Sequence, residues 1–240
     1  MKFSSISNIG KLRETNEDFY SNVSIDNYDF FIVADGMGGH SDGELASSMA
    51  SKSFTEFIES KNLKNFDSIT DFQESAIRYA NEKVFDIACE KQEKIGTTVV
   101  CLCLDYNENL YHISHIGDSR LYLYRKGEIT QLTRDHSLVN ELIESGALKE
   151  DEAENFINKS AITRAVGIAA DVNIDSKTID MEDSDVILIV TDGLTNEVST
   201  DDIKKIISEN SDVYDISNKL VEAANQSGGR DNITVTTVKI

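Results

Sequence analysis

The sequence predicts a layered α+β fold, with antiparallel strands bunched together and helices packed outside them. Three observations carry that prediction. Strand-type runs follow one another consecutively and do not alternate with helices. Links between them shrink to "NE" and "KG", too short for a parallel crossover. Helical periodicity is confined to separate segments.

Taken in order, "KFSSISNI", "FYSNVSI" and "YDFFIVA" read as strands filling the first 34 residues. Residues 42 to 60 carry Ala46, Met49, Ala50, Phe54, Phe57 and Ile58 at three- and four-residue spacing, which predicts a helix with one buried face. Residues 67 to 93 repeat the rhythm through Phe72, Ala76, Tyr79, Ala80, Val84 and Ile87, with Gly96 as punctuation. Then come "TTVVCLCLDY", "NLYHISHIGD", "SRLYLYRKG" and "EITQLT", read as strands joined by hairpins. Residues 134 to 170 break the pattern with two short helical segments. "VNIDSKTID" and "SDVILIVTDG" resume strands, helices follow at about 200 to 209 and 212 to 225, and "NITVTTVKI" closes the chain.

The 240 residues are 40% hydrophobic, enough for one domain over 1 to 240 with a real core, and no linker or repeat divides them. Asp and Glu number 43 against 23 Lys and Arg, a net charge of -20. That balance argues against nucleic acid or an anionic membrane as partner and favours cations. No apolar run approaches the ~20 residues of a spanning helix and no signal-peptide core is present, which points to a cytoplasmic protein. Cys89, Cys101 and Cys103 read as buried thiols, the last two on one face of a strand. A monomer is expected.

The segment "VADGMGGH" at 33 to 40 has the strand, turn and helix layout that often holds a phosphate. It fails the dinucleotide fingerprint, because Ser41 stands where a third glycine belongs, and no P-loop lysine occurs anywhere. What remains is an aspartate facing an anion site, an arrangement that requires a cation between them. An internal echo repeats it: "FIVADG" at 31 to 36 and "LIVTDG" at 188 to 193 each deliver an aspartate, Asp35 and Asp192, from an apolar strand. "SHIGDSR" places Asp118 at a strand-to-strand turn, "GGRDNITV" places Asp231 before the last strand, and "GKLRETNED" adds Arg13, Glu17 and Asp18.

Singly, each Asp-Gly is a turn signal and each Glu-Asp pair a solvated loop. Jointly they form a rim of up to six acids, where each like-charge pair at about 4 Å costs about 4 kcal/mol at an effective dielectric of 20. Divalent cations remove that cost, and an all-oxygen donor set selects Mg²⁺ or Mn²⁺ over zinc. An EF-hand reading of Asp105, Asn107 and Asn109 fails, since Leu110 replaces the glycine and Ile116 the last acid.

"GKLRETNEDF", "VADGMGGHSDGE", "IGDSRLYLYRKGEITQLTRDHSLV", "VTDGLTNEV" and "GGRDNITVTTV" occur in the order of the motifs of bacterial metal-dependent serine/threonine phosphatases of type 2C, which the chain resembles over essentially its whole length. The resemblance implies a β-sandwich of two antiparallel sheets flanked by helices, in α-β-β-α layers. It implies that Asp35, Asp192 and Asp231 hold one Mn²⁺ or Mg²⁺. Asp35 would bridge to a second ion, bound also by the Gly36 carbonyl and contacted by Glu17 and Asp18 directly or through water. Asp118 with Asp192 resembles a third, weaker metal site, and Arg13 the arginine that clamps the substrate phosphate.

The implied reaction is hydrolysis of phosphoserine and phosphothreonine by a metal-bridging water, with no enzyme nucleophile. His40 is either a proton donor to the leaving oxygen or a polar residue holding the glycine turn. His136 reads as a cap or packing residue of the helix after it, and His112 and His115 lie on a strand with no carboxylate pattern around them. Residues from about 134 to 170 resemble the family's flap, but "ENFINKSAITRAVG" has Phe156, Ile157 and Lys159 where relatives carry a His-Pro followed by an arginine. The expected partners are phosphorylated proteins, including a bacterial Ser/Thr kinase and its substrates. The alternatives are a pseudophosphatase interaction module and a phosphatase of an anti-sigma-factor antagonist.

Overall fold

A computed structural model describes residues 1–39, 42–149, 152, 156 and 161–240. Its strands are β1 (Lys2–Asn8), β2 (Asp18–Ile25), β3 (Tyr28–Met37), β4 (Gly96–Thr97), β5 (Val99–Asp105), β6 (Leu110–Ile116), β7 (Arg120–Arg125), β8 (Glu128–Gln131), β9 (Asp175–Asp180), β10 (Val186–Val190) and β11 (Ile233–Lys239). Its helices are α1 (Asp42–Ser60), α2 (Ile69–Lys91), α3 (Leu138–Glu144), the single turn α4 (Asp192–Thr195), α5 (Thr200–Glu209) and α6 (Val213–Ser227). One sheet runs β1-β11-β10-β7-β8 and the other β2-β3-β5-β6-β9, with β4 on the end of β3. Every pairing is antiparallel.

Side-chain alternation along the central strands explains why they read as unbroken apolar runs: both faces are buried. On β3, Phe30, Ile32 and Ala34 pack under α1 and α2, whereas Phe31 and Val33 join the layer between the sheets. On β10, Leu188 and Val190 pack under α5 and α6, and Ile187 and Ile189 face the other sheet. The result is the α-β-β-α stacking that the resemblance implies. The boundaries of α1 and α5 match the sequence expectation, and Ser68, Ser199 and Asp212 begin α2, α5 and α6 by accepting from backbone N–H groups of the first turn.

Three expectations are corrected. The link between β6 and β7 closes no hairpin; Gly117–Ser119 crosses from one sheet to the other, which is possible because both strands end at the same rim. Cys89 is exposed on α2, unlike the fully buried Cys101 and Cys103. His112 and His115 do have carboxylate neighbours, supplied from other strands: His112 Nε2 lies 3.7 Å from Asp105, and His115 stacks on His136, which faces Asp175. Of the two helical segments expected in 134 to 170, α3 is present, and most of the second region falls outside the described residues. Among the described residues no helix is long and apolar enough to cross a membrane.

Candidate metal centre

The acids converge because both sheets end at one rim. In one sheet Asp18 opens β2 directly opposite Asp35 on β3. In the other, Asp192 follows β10 and Asp231 precedes β11, its antiparallel neighbour. The convergence therefore runs across the sandwich, from the ends of strands in both sheets. Asp118, on the sheet-crossing link, joins them.

Burial leaves these carboxyls far from their ordinary behaviour. Asp35 is pushed well above the carboxylate range by burial and then by Asp18, Asp192, Asp118 and Asp231. Asp18 rises to about 7, chiefly through burial, against the pull of hydroxyls from Thr234 and Thr191. Asp118 also rises to about 7, through burial and then Asp192. Asp192 is raised by burial and Asp231, and Glu17 by burial despite Arg13. Asp18 Oδ1 and Asp118 Oδ1 are buried with no hydrogen-bond partner. Buried carboxylate oxygens without donors are costly, and cations supply what no side chain here does. An all-oxygen set with two orphaned oxygens fits hard divalent ions.

The approach is tight enough to require glycine at Gly36, and Gly43 leaves the space that the Glu17 carboxylate fills. A Cβ on Gly36 would lie 2.0 Å from the Gly43 carbonyl, and one on Gly43 would lie 2.6 Å from Glu17 Oε1. Gly36 N–H donates to the Glu17 carbonyl at 3.0 Å, so the loop carrying Arg13 and Glu17 is fastened onto the end of β3. Arg13 is exposed at the rim, its Nη2 2.8 Å from Asp231 Oδ2 and its Nη1 3.7 Å from Glu17 Oε2. Of the predicted site residues, Arg13, Glu17, Asp18, Asp35, Gly36, Asp118, Asp192 and Asp231 are thus brought together. His40 lies outside the described residues.

Residues that sequence reasoning passed over hold this arrangement. Asn232 accepts from Glu17 N–H at 2.8 Å and donates to the Ile9 and Thr15 carbonyls at 2.9 Å each. Thr98 Oγ1 accepts from Asp35 N–H at 3.0 Å and meets Ser119 Oγ at 2.8 Å, linking β3 to the Asp118 turn. Thr191 bonds Asp18. Asn232 stands inside "GGRDN", so its proximity to Asp231 was a usable signal; Thr98 and Thr191 carried none beyond their position at strand ends.

The sequence matches the family described as Protein phosphatase 2C over residues 11–233. It is 34% identical over 242 residues to "Protein phosphatase PhpP" of Streptococcus pneumoniae, covering 100% of this chain and 98% of that protein. Among solved structures, the serine/threonine phosphatase of S. agalactiae superposes with a TM-score of 0.90 at 33% identity, covering 98% of each chain. The catalytic domain of the serine threonine protein phosphatase PstP, solved in complex with 2 manganese ions, superposes with a TM-score of 0.82 at 28% identity over 98% of this chain and 96% of that one.

Proposed function

This chain belongs to the protein phosphatase 2C family of metal-dependent serine/threonine protein phosphatases, and from that premise we propose how its own residues divide the work. Asp35, Asp192 and Asp231 would hold one Mn²⁺ or Mg²⁺. Asp35 and the Gly36 carbonyl would hold a second, near Glu17 and Asp18, and Asp118 with Asp192 would hold a weaker third. The observation that carries this reading is the pair of buried, partnerless oxygens Asp18 Oδ1 and Asp118 Oδ1 in a cluster of raised carboxyl pKa values. When bound, such ions acidify water for attack on phosphorus and neutralise the phosphoryl oxygens.

The rest is done by protein groups. Arg13 receives the substrate phosphate: it stands exposed on a loop fixed by Asn232, and its planar fork can hold two phosphate oxygens where lysine offers a single point charge. Its present partner, Asp231, is one of the acids whose charge the ions would absorb, which frees the guanidinium for phosphate. His40 is proposed as proton donor to the leaving serine or threonine oxygen.

The substrate class is phosphoproteins, as for the bacterial phosphatases that align with 96% or more of this chain. We assign the protein to opposition of a Ser/Thr protein kinase in the cytosol, where three unpaired thiols remain reduced. The whole of 1 to 240 acts as one catalytic domain, with the flap at about 134 to 170 beside the site.

The test is phosphate release from a phosphothreonine peptide by wild type and Asp192→Ala, with Mn²⁺, with Mg²⁺ and with EDTA. Release that needs the ion and is abolished by the substitution is expected. Release that persists in EDTA would overturn the assignment.

A further inference from the structure

The three consecutive residues Arg134, Asp135 and His136 each grip a different residue of the segment 115–120 that carries Asp118. His115 Nε2 lies 2.8 Å from the Arg134 carbonyl oxygen. Asp135 takes Arg120 in a bidentate pair, with Nε–Oδ1 at 2.9 Å and Nη2–Oδ2 at 2.6 Å. His136 holds both backbone groups of Gly117: its N–H donates to the Gly117 carbonyl at 2.9 Å, and its Nδ1 accepts from Gly117 N–H at 3.1 Å.

A backbone N–H can only donate, so Nδ1 is the bare nitrogen and the ring proton sits on Nε2, which faces Asp175 Oδ2 at 3.3 Å. Arg164 completes the group, 2.9 Å from Asp175 Oδ1. His115, His136 and Asp175 could together offer ligands to a cation, since their donor atoms lie within 4.8 Å of one another. The Arg164 guanidinium, 3.4 Å from His136 Nε2, already supplies the positive charge there. The cluster is a clamp.

Its reach is wider than Gly117. The His136 carbonyl accepts from Thr163 N–H at 2.9 Å, and Ser137 bridges Ile162, so the same residue touches both the departing and the returning ends of the proposed flap. Gly117 has φ +107, and a Cβ there would lie 2.6 Å from the Thr98 side chain, so this link has little room to settle differently if released.

We infer that His136 is a positioning residue for Asp118: its neutral Nδ1 fixes the Gly117 amide, and thereby the direction in which Asp118 enters the acid cluster, while its backbone ties that setting to the flap. The inference rests on the reading of Asp118 as a ligand of the weaker metal site. Burial, with His115 beside it, holds the His136 pKa below its ordinary value, which keeps the ring in the neutral form that the acceptor role requires.

The test uses the full chain and compares His136→Asn, whose carboxamide oxygen falls where Nδ1 was, with His136→Gln, whose amide falls where Nε2 was. Mn²⁺ binding is followed by calorimetry and turnover on a phosphothreonine peptide is measured across Mn²⁺ concentrations. We expect His136→Gln to weaken the weakest Mn²⁺ phase by about tenfold, the scale of one buried hydrogen bond left unmade. Its kcat should recover at saturating Mn²⁺, the tighter phases should stay in place, and His136→Asn should remain near wild type. Equal loss in both variants, or loss in neither, would overturn the inference. A wild type without any weak phase would overturn the ligand role of Asp118 and the inference with it, even with the phosphatase reading intact.

Discussion

Thr191 Oγ1 donates to Asp18 Oδ2 at 2.8 Å, across the two sheets of the sandwich. The direction of that bond is fixed from behind, because Thr234 N–H donates into the same hydroxyl at 2.9 Å, leaving its proton free to point at Asp18. One carboxylate oxygen is therefore held by the protein, and the other, Oδ1, is left for something else. A carboxylate that is oriented by one oxygen and offers the other is pre-set for a cation, the role proposed for Asp18.

Removing this donor takes away the Thr191 bond to Oδ2 while Oδ1 stays without one. Thr191→Val is expected to destabilise the EDTA-treated protein by about 1–3 kcal/mol, a melting-temperature loss of about 2–4 °C for each kcal/mol at this chain length. Thr191→Ser, which keeps the hydroxyl, should stay near wild type. Thermal melts of the three proteins decide it; equal melting of Val and Ser variants would deny the bond its orienting role.

Protons and ions compete for the same carboxylates. Asp18 and Asp118, raised to about 7 in the folded chain, bind protons more tightly there than in the unfolded chain, where a carboxyl titrates near 3.9. The folded state thus holds more protons between those limits, and its stability falls as pH rises through that window. In EDTA, raising the pH from 6.5 to 8 should cost about 1 kcal/mol for each of the two groups. Below about 6.5 the buried His112 and His136, held under their ordinary pKa, oppose this trend, so the comparison belongs above it. Mn²⁺ should reverse the dependence, with a stabilisation that grows from pH 6.5 to 8. Melts in EDTA that are flat or rise across that interval would remove the account of buried, mutually repelling carboxyls at the site.

What the sequence made legible follows from how each feature is encoded. The acids were readable because each sits at a strand end, and "FIVADG" and "LIVTDG" write that position twice. Antiparallel pairing then brings Asp18 to Asp35 with no further information. The crossing at Gly117–Ser119 was not readable, because a three-residue link is compatible with a hairpin and β7, with Leu121 and Leu123 against the facing sheet and Tyr122 toward α5 and α6, is buried on both faces as β6 is. The neighbours of His115 and His136 were equally hidden. They come from β6, the segment before α3 and β9, which lie far apart in the chain and are brought together by the fold.

Asn232 supplies the last prediction, since it joins the two halves of the site without offering it a charge. Its oxygen accepts from Glu17 N–H and its amide donates to the Ile9 and Thr15 carbonyls, so one nearly buried side chain sets the loop on which Arg13 stands. Asp at this position could accept but not donate, leaving two carbonyls facing a carboxylate; Ala would lose all three bonds. Asn232→Ala is expected to cost about 2–4 kcal/mol of stability and to raise KM for a phosphopeptide more than it lowers kcat, because the displaced group is the arginine proposed to bind phosphate and not the acids. Asn232→Asp should do worse than Ala, adding a negative charge beside Glu17 and Asp231. Steady-state kinetics at saturating Mn²⁺ separates the two effects: a loss confined to kcat would mean that Asn232 acts on the carboxylates proposed to hold metal and that Arg13 owes its position to its own pairing with Asp231.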